Sequence, residues 1–242
     1  MTTALWVGSH ERGDVLVAEP HGVLDAATYL PLRDVLVELG VEEPRAVIVD
    51  LADLDLSNRS ALAVFVAVSD QLAQWPGVPV LLVATRAAHR ELLDRHRLAR
   101  FVPVFASVPA AVAAMDEPPA RRIARRSLPN SLVSVRLARR FVAQVCARWG
   151  VQGRLQDAVM IADVLVENTL IHTYCAPTVR VELRRGRLTV AVYDDDPSTA
   201  RLLETGDVAS SRVRGLWLVH RIARAWGCER RSAGGKVVWA VL

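Results

Sequence analysis

The sequence predicts a two-domain α/β protein, and three observations support this prediction. In the N-terminal half, strand-like and helix-like segments alternate, as in a sheet connected by crossover helices. The C-terminal half contains two helix-like segments, a strand pair, a third helix-like segment and two closing strands. Between the halves, the run Asp116-Glu117-Pro118-Pro119 interrupts helical periodicity, and a basic stretch follows it.

The N-terminal half is expected to form a mostly parallel or mixed sheet. Alternating apolar and polar residues predict a half-buried strand over 14–19, followed by a turn at His21-Gly22. A continuous apolar run predicts a strand over 46–51 that is buried on both faces. The same criteria predict strands over 78–84 and 101–105 and helices over 26–39, 60–75, 87–96 and 108–115.

The C-terminal half is organised around the segment Leu155–Thr173, whose apolar residues recur at spacings of three and four and therefore predict a helix. On this helix Asn168 and His172 are four residues apart and face the same way. A surface or capping pair is the alternative to a binding site. Further helices are predicted over 131–149 and 214–226, and strands over 179–183, 188–193, 228–231 and 236–242.

Composition and targeting signals narrow the class of protein. The 242 residues are 52% hydrophobic and 23% charged, which is typical of globular domains rather than disordered chains. The N-terminus shows no basic start with an apolar run, and no apolar stretch reaches membrane-spanning length, so a soluble cytoplasmic protein is expected. The three cysteines are widely spaced, which predicts free thiols rather than disulfides or a zinc site.

Charge is distributed unevenly along the chain. Residues 1–117 hold 9 arginines and 16 acidic residues, whereas residues 118–242 hold 21 basic and 10 acidic residues. Opposite net charges favour attraction between the halves or to partners of opposite charge. Because the arginines are scattered over helices and strands, we expect a nucleotide ligand and a solvated surface, without direct nucleic-acid binding.

The ordered motifs of residues 127–242 resemble the Bergerat-fold ATPases, and more narrowly the anti-sigma-factor serine kinases of bacterial partner-switching systems. The resemblance implies a Bergerat-type α/β sandwich that binds ATP and Mg²⁺. It implies that Asn168 holds the magnesium ion and that Asp194 accepts the adenine amino group. Helix-opening residues would bind phosphate through backbone amides. The full set of predicted ATP-binding residues is Asn168, His172, Asp194, Arg214, Gly215 and Leu216.

This domain departs from the family pattern at the position of the general base. The family's glutamate lies four residues before the asparagine, where this sequence has Val164. Asp163 and Glu167 are the candidate substitutes, although neither occupies the same helical position. The resemblance therefore leaves open whether the domain is an active protein serine kinase.

Two further departures flank the expected phosphate site. Asp195, Asp196 and Pro197 follow Asp194 where a glycine-rich turn is common, and three inward-facing acids would repel phosphate. An acidic solvent-exposed turn is the alternative interpretation of this segment. Residues 198–212 are polar with weak periodicity, as expected for an ATP lid, and Val213 replaces a frequent glycine.

The N-terminal half carries a second resemblance. The segments GVLDAATYLPLRDVLVEL and AVIVDLADLDLSNRSALAVFVAV resemble the STAS domain of anti-sigma-factor antagonists over residues 10–116. The family's Asp-Ser-Ser-Gly loop aligns with Asn58, Arg59, Ser60 and Ala61, so only the phosphoacceptor serine is retained. Ser60 is thus the phosphoacceptor candidate, because a phosphate is stabilised at a helix N-terminus. A helix N-cap is the alternative role for this serine.

Together, these resemblances imply a fused partner-switching regulator of transcription. The expected organisation is a STAS-like antagonist domain at 10–116, a basic linker at 117–128 and a histidine-kinase-like ATPase domain at 129–242. The expected partner is a sigma factor or a separate STAS or anti-sigma protein, with an intramolecular contact and a homodimer left open. The alternative is a catalytically inactive ATP-binding scaffold that sequesters a protein partner.

Overall fold

The computed structural model describes residues 5–115, 121–198 and 211–242, with the side chains of 211–214 excepted. Contacts within the chain define two compact units, Met1–Pro118 and Pro119–Leu242. Among the described residues, the helices lack the combination of length and apolar character that spanning a bilayer requires.

The first unit contains a mixed six-stranded sheet with helices. Its central strands run parallel in the order β2, β3, β5 and β6, while β1 pairs antiparallel with β2 and β4 pairs with the end of β2. The elements are β1 (Trp6–Arg12), β2 (Val15–Val23), α1 (Tyr29–Val41), β3 (Val47–Asp50), β4 (Leu54–Asp55), a 3₁₀ helix (Arg59–Leu62), α2 (Ala63–Gln74), β5 (Val80–Val83), α3 (Ala87–Arg95), a 3₁₀ turn (Leu98–Arg100), β6 (Val104–Phe105) and α4 (Val108–Ala113).

Apolar packing explains this arrangement. β3 and β5 are almost entirely buried, as expected for central strands of a sheet covered on both faces. α4 packs against one side through Ala111, beside Ile48 and Val83. α1 and α2 pack against each other so closely that a methyl group on Gly40 would lie 2.4 Å from Leu72 Cδ1.

The structure corrects several sequence expectations in this unit. His21-Gly22 does not end the first predicted strand, because β2 continues to Val23. The predicted strand over 101–105 is limited to two residues, Val104–Phe105. β1 was not predicted, because Trp6–Arg12 is mostly exposed and shows no regular alternation of apolar and polar residues. Its strand conformation depends on pairing with β2.

The second unit is a two-layer α/β sandwich. Its five-stranded antiparallel sheet has the order β10-β11-β9-β8-β7, and three helices share one apolar core with it. The elements are β7 (Arg121–Ser127), α5 (Val133–Trp149), a 3₁₀ turn (Gln152–Arg154), α6 (Leu155–His172), β8 (Thr178–Arg184), β9 (Arg187–Asp194), α7 (Ser211–Ile222), β10 (Ala225–Arg230) and β11 (Lys236–Val241).

Two predictions for this unit were wrong. The predicted basic linker contains β7, an arginine-rich edge strand whose backbone pairs with β8 over its full length. The predicted helix over 214–226 is displaced, because α7 begins at Ser211, within the segment expected to be a lid, and ends at Ile222. Trp226 therefore belongs to β10, which pairs with β11. By contrast, α6 has the predicted extent to within one residue.

Candidate functional site

The centre of the candidate site is the crossing of α6 and α7. Gly215 of α7 lies against α6, where an added methyl group would be 3.1 Å from Val164 Cγ1 and 3.6 Å from Asn168 Oδ1. A side chain at this position would fill the space beside the amide of Asn168. The structure therefore brings together two predicted site residues, Asn168 and Gly215, which are 47 positions apart in the sequence.

Val164 occupies the position one helical turn before Asn168 and contributes no group that can accept a proton. The adjacent Asp163 is turned toward α5, where Arg139 Nε donates to both of its carboxylate oxygens at 2.7 and 2.6 Å. This ion pair raises the pKa of Arg139, chiefly through the hydrogen bond to Asp163, and Glu167 adds to it. The Asp163 carboxylate is thus paired with Arg139.

Asp194, a predicted site residue, ends β9 and is buried beneath α6. Its Oδ2 accepts a hydrogen bond of 3.3 Å from Thr169 Oγ1, one residue after Asn168. Its Oδ1 accepts from Lys236 Nζ at 2.9 Å and from the backbone N–H of Asp196 at 3.0 Å. The carboxylate is therefore fixed to α6 and to β11 at once, next to the site centre.

The hairpin between β10 and β11 also closes on this carboxyl end of β9. Gly235 has φ of +77°, and a Cβ atom there would lie 2.1 Å from the carbonyl oxygen of Asp194. Only glycine fits this approach and this left-handed backbone conformation. The same hairpin places Lys236 opposite Asp194 in the strand register.

The remaining predicted residues are distributed around this centre. Leu216 is half-buried and packs against the core of the unit, whereas His172 is exposed in the last turn of α6. The side chain of Arg214 lies outside the described residues, as does most of the predicted lid at 199–210. The structure thus places Asn168 beside Gly215, and Thr169, the next residue of α6, belongs to the hydrogen-bond network of Asp194.

The expected magnesium ion can be tested against the donor atoms present. No cluster of three histidine, cysteine, aspartate or glutamate side chains suited to a metal occurs in the part of the chain that the structure describes. Asn168 supplies one amide oxygen, and Mg²⁺ in nucleotide sites takes one or two protein ligands with phosphate oxygens and water. The residues therefore fit a nucleotide-borne magnesium ion rather than a metal held by the protein alone.

In the first unit, Ser60 is exposed within the 3₁₀ helix that leads into α2. Its Oγ donates a hydrogen bond of 2.8 Å to Asn58 Oδ1. The Asn58 side chain makes no capping hydrogen bond to the helix. Ser60 therefore has the exposed helix-start position that its candidate role requires.

The loop before Ser60 contains an acidic residue, Asp55, that hydrogen-bonds within the loop. Asp55 accepts hydrogen bonds from the hydroxyl and the backbone N–H of Ser57, and these hold the pKa of the Asp55 carboxyl below its ordinary value. Nearby His89 is half-buried, and burial together with the charge of Arg86 lowers its pKa. Asp55 is thus hydrogen-bonded to Ser57, three residues before the exposed Ser60.

The first unit matches a known protein family. Residues 9–111 match the family model of the STAS domain. The predicted STAS-type fold of the N-terminal half is confirmed by this match. No curated protein matched the chain at a significant level.

Several solved structures are similar to about half of this chain. An anti-sigma factor antagonist from Mycobacterium paratuberculosis is 18% identical, with a TM-score of 0.39 and coverage of 46% of this chain and 93% of that one. The RsbU and RsbW domains of a Mycobacterium tuberculosis protein are 17% identical, with a TM-score of 0.39 and coverage of 50% and 32%. Unphosphorylated SpoIIAA is 14% identical, with a TM-score of 0.36 and coverage of 45% and 93%.

Sequence reasoning missed Lys236 as a site residue. The other 29 basic residues are arginines, so the only lysine of the chain is the one that pairs with Asp194. Its uniqueness and its position directly after Gly234-Gly235 were the available signals. The ion pair itself depends on the register between β9 and β11, which the sequence does not specify.

Proposed function

We propose that this chain is a partner-switching regulator of bacterial transcription. It combines the STAS domain with an ATP-binding domain of the anti-sigma serine-kinase type, which would have the Bergerat fold. The contact between α6 and α7 is the main support, because it sets the Asn168 amide beside Gly215 in the second turn of α7. An amide oxygen suits Mg²⁺, which bridges nucleotide phosphates.

In this proposal, the covalent connection between the two units regulates access of other proteins to the ATP-binding domain. A linked binding module experiences its partner at a raised effective concentration, without any additional contact. A STAS domain in the same chain would therefore compete with separate STAS proteins for the ATP-binding domain. The external partner in this proposal is a sigma factor or a separate STAS or anti-sigma protein.

ATP binding is tested by calorimetry on the full chain with Mg²⁺. Asn168→Ala is expected to remove the magnesium-dependent part of the affinity, because it deletes the amide oxygen beside Gly215 at the α6–α7 crossing. Gln156→Ala is a matched control, since Gln156 is an exposed amide side chain on the same helix, three turns earlier. Equal magnesium-dependent affinity in wild type and Asn168→Ala would contradict the proposed site.

A second candidate function is a catalytically inactive ATP-binding scaffold. Two observations favour it: Val164 replaces the base, and the Asp163 carboxylate is occupied by Arg139. General-base assistance contributes about 10²–10⁴ in rate. We therefore expect slow or undetectable phosphate transfer in the wild-type chain, although ATP binds.

Labelled ATP with phosphosite mapping separates the two functions. Val164→Glu is expected to raise transfer to a serine by about 10² or more if the remaining site is competent. Ser60→Ala reports whether the chain's own STAS domain is the acceptor. Rapid transfer by wild type, with no gain from Val164→Glu, would show that another carboxylate acts as the base; Glu167 would be mutated first, followed by Asp163.

A further inference from the structure

The outer edge of β7 is a strongly basic surface that the proposed nucleotide site does not use. β7 is the terminal strand of the five-stranded sheet and pairs only with β8 in the part of the chain that the structure describes. Six of its seven residues are exposed, and four of the seven are arginines. Every second residue of an edge strand directs its N–H and C=O groups away from the sheet. This edge therefore combines outward-facing backbone hydrogen-bonding groups with a high density of positive charge.

The arginines of β7 lie on both faces of the strand. Side chains alternate along a strand, so Arg122 and Arg126 share one face. Arg121 and Arg125 share the other face for the same reason. Within the described residues, no ion pair involves Arg122 or Arg126. The edge thus presents two neighbouring positive charges at each end, separated by two apolar residues.

The neighbouring strand β8 does not neutralise this charge. Its acidic residue, Glu182, is buried and bonded to the buried Arg180. Arg184 lies directly opposite Arg121 in the strand register, and like charges in that arrangement repel each other. Burial, together with the charges of Arg185 and Arg121, lowers the pKa of Arg184, and Glu182 offsets this only in part. The positive potential of β7 therefore extends to the β8–β9 hairpin.

We propose that the edge of β7 binds an extended acidic segment of a separate protein by strand addition. The segment pairs its backbone with β7 and places carboxylates opposite the arginines. In strand addition, backbone hydrogen bonds supply affinity and side-chain pairs supply specificity. Arginine suits this role, because its planar guanidinium binds a carboxylate through two parallel hydrogen bonds. The inference concerns a protein-binding surface and does not depend on nucleotide binding.

The charge pattern of β7 distinguishes this partner from two others. A second copy of the chain is disfavoured, because antiparallel pairing centred on Ala124, or on the middle of the four arginines, places Arg122 opposite an arginine of the other copy. A nucleic acid would contact the arginines of one face, and it has no peptide backbone to pair with the strand edge. An acidic strand meets the arginines of both faces, since residues opposite each other on paired strands share a face.

Fluorescence anisotropy on the full chain tests the proposal with a capped, labelled peptide of the sequence Glu-Glu-Val-Val-Glu-Glu. Its order matches the basic, apolar and basic order of Arg121–Arg126 in either strand direction. One control peptide, Gln-Gln-Val-Val-Gln-Gln, lacks the charge. The other is the acidic peptide N-methylated at both valines, which keeps the charge but loses a backbone donor on each of its edges. We expect both controls to bind more weakly than the acidic peptide.

Matched variants locate the binding surface. Arg122→Gln/Arg126→Gln removes two charges from β7, whereas Arg140→Gln/Arg148→Gln removes two exposed charges from α5 of the same unit. A cross-strand pair of opposite charges changes affinity by about 1.4- to 5-fold, so the loss of two pairs predicts binding that is roughly 2- to 30-fold weaker in the β7 variant. The α5 variant should bind nearly as tightly as wild type.

Hydrogen exchange of the wild-type chain gives a readout that needs no variant. The bound acidic peptide is expected to slow exchange in β7 and to leave the exchange of α5 unchanged. No binding of the acidic peptide, equal binding of its N-methylated form, or equal affinity in the two arginine variants would overturn strand addition at β7.

Two further outcomes would assign the edge to a different partner and overturn the proposal. The first is tighter binding of a DNA duplex than of the acidic peptide, with the same loss in Arg122→Gln/Arg126→Gln, which would indicate a nucleic-acid surface. The second is dimerisation of the chain that protects β7 from exchange without any peptide, which would indicate an interface between two copies.

Discussion

Removal of either member of the Asp194–Lys236 ion pair is expected to destabilise the second unit strongly. The two side chains are 1% and 4% exposed and are joined at 2.9 Å, so the charge that remains after a single substitution stays buried. Lys236→Met also removes the hydrogen bond to the carbonyl oxygen of Asp196. Two lost hydrogen bonds of a charged group, at about 1.5–3 kcal/mol each, agree with the roughly 3–5 kcal/mol typical of a broken buried pair.

Hydrogen exchange followed by mass spectrometry measures this effect locally. Peptides from β9 and β11 report the opening of the second unit alone, which avoids a two-state analysis of a chain with two units. A loss of about 3–5 kcal/mol predicts exchange of their most protected amides that is faster by roughly 10² or more. Replacing both residues, in Asp194→Leu/Lys236→Met, is expected to restore much of the stability because no buried charge remains.

A surface ion pair provides the control. Arg33 and Asp34 lie in α1 with side chains 38% and 64% exposed, and such pairs contribute at most about 1 kcal/mol. Arg33→Met should therefore leave the exchange of α1 nearly unchanged. If Lys236→Met costs no more than Arg33→Met, or if the double variant is less stable than both single variants, the buried pair does not stabilise the unit as argued.

Three further predictions concern single sites. Gly40→Ala should destabilise the first unit by about 1–3 kcal/mol in chemical denaturation, because the new methyl group would overlap Leu72. Cys146 should resist alkylation until the protein is denatured, as its thiol is buried and burial raises its pKa. Ser57→Ala should raise the pKa of Asp55 in an NMR titration, because Ser57 supplies the hydrogen bonds that lower it. Since the folded-state pKa is lowered, the Asp55 carboxylate stabilises the fold at pH values above its unfolded-state pKa. This contribution is lost as the pH falls through the folded-state pKa.

Elements with strong internal periodicity could be predicted, and elements defined by their partners could not. The apolar spacing of Leu155–His172 suffices to specify α6, because a helix satisfies its backbone hydrogen bonds internally. β7 has little apolar alternation, and its strand conformation follows from antiparallel pairing with β8. The predicted proximity of Asn168 and Gly215 came from the order of the motifs, whereas the role of Lys236 depended on strand register.

The acidic turn after β9 is expected to repel a bound phosphate, but the geometry of the turn reduces this repulsion. Asp194 is neutralised by Lys236 within the fold, and Asp195 is exposed to solvent. Asp196 accepts hydrogen bonds from the hydroxyl and backbone N–H of Ser198, which lower the pKa of its carboxyl and direct it toward its own turn. Three consecutive acids therefore do not act as three inward-facing charges. Solvent screening weakens the repulsion from the exposed carboxylate, so a nucleotide phosphate near Asn168 is compatible with this sequence.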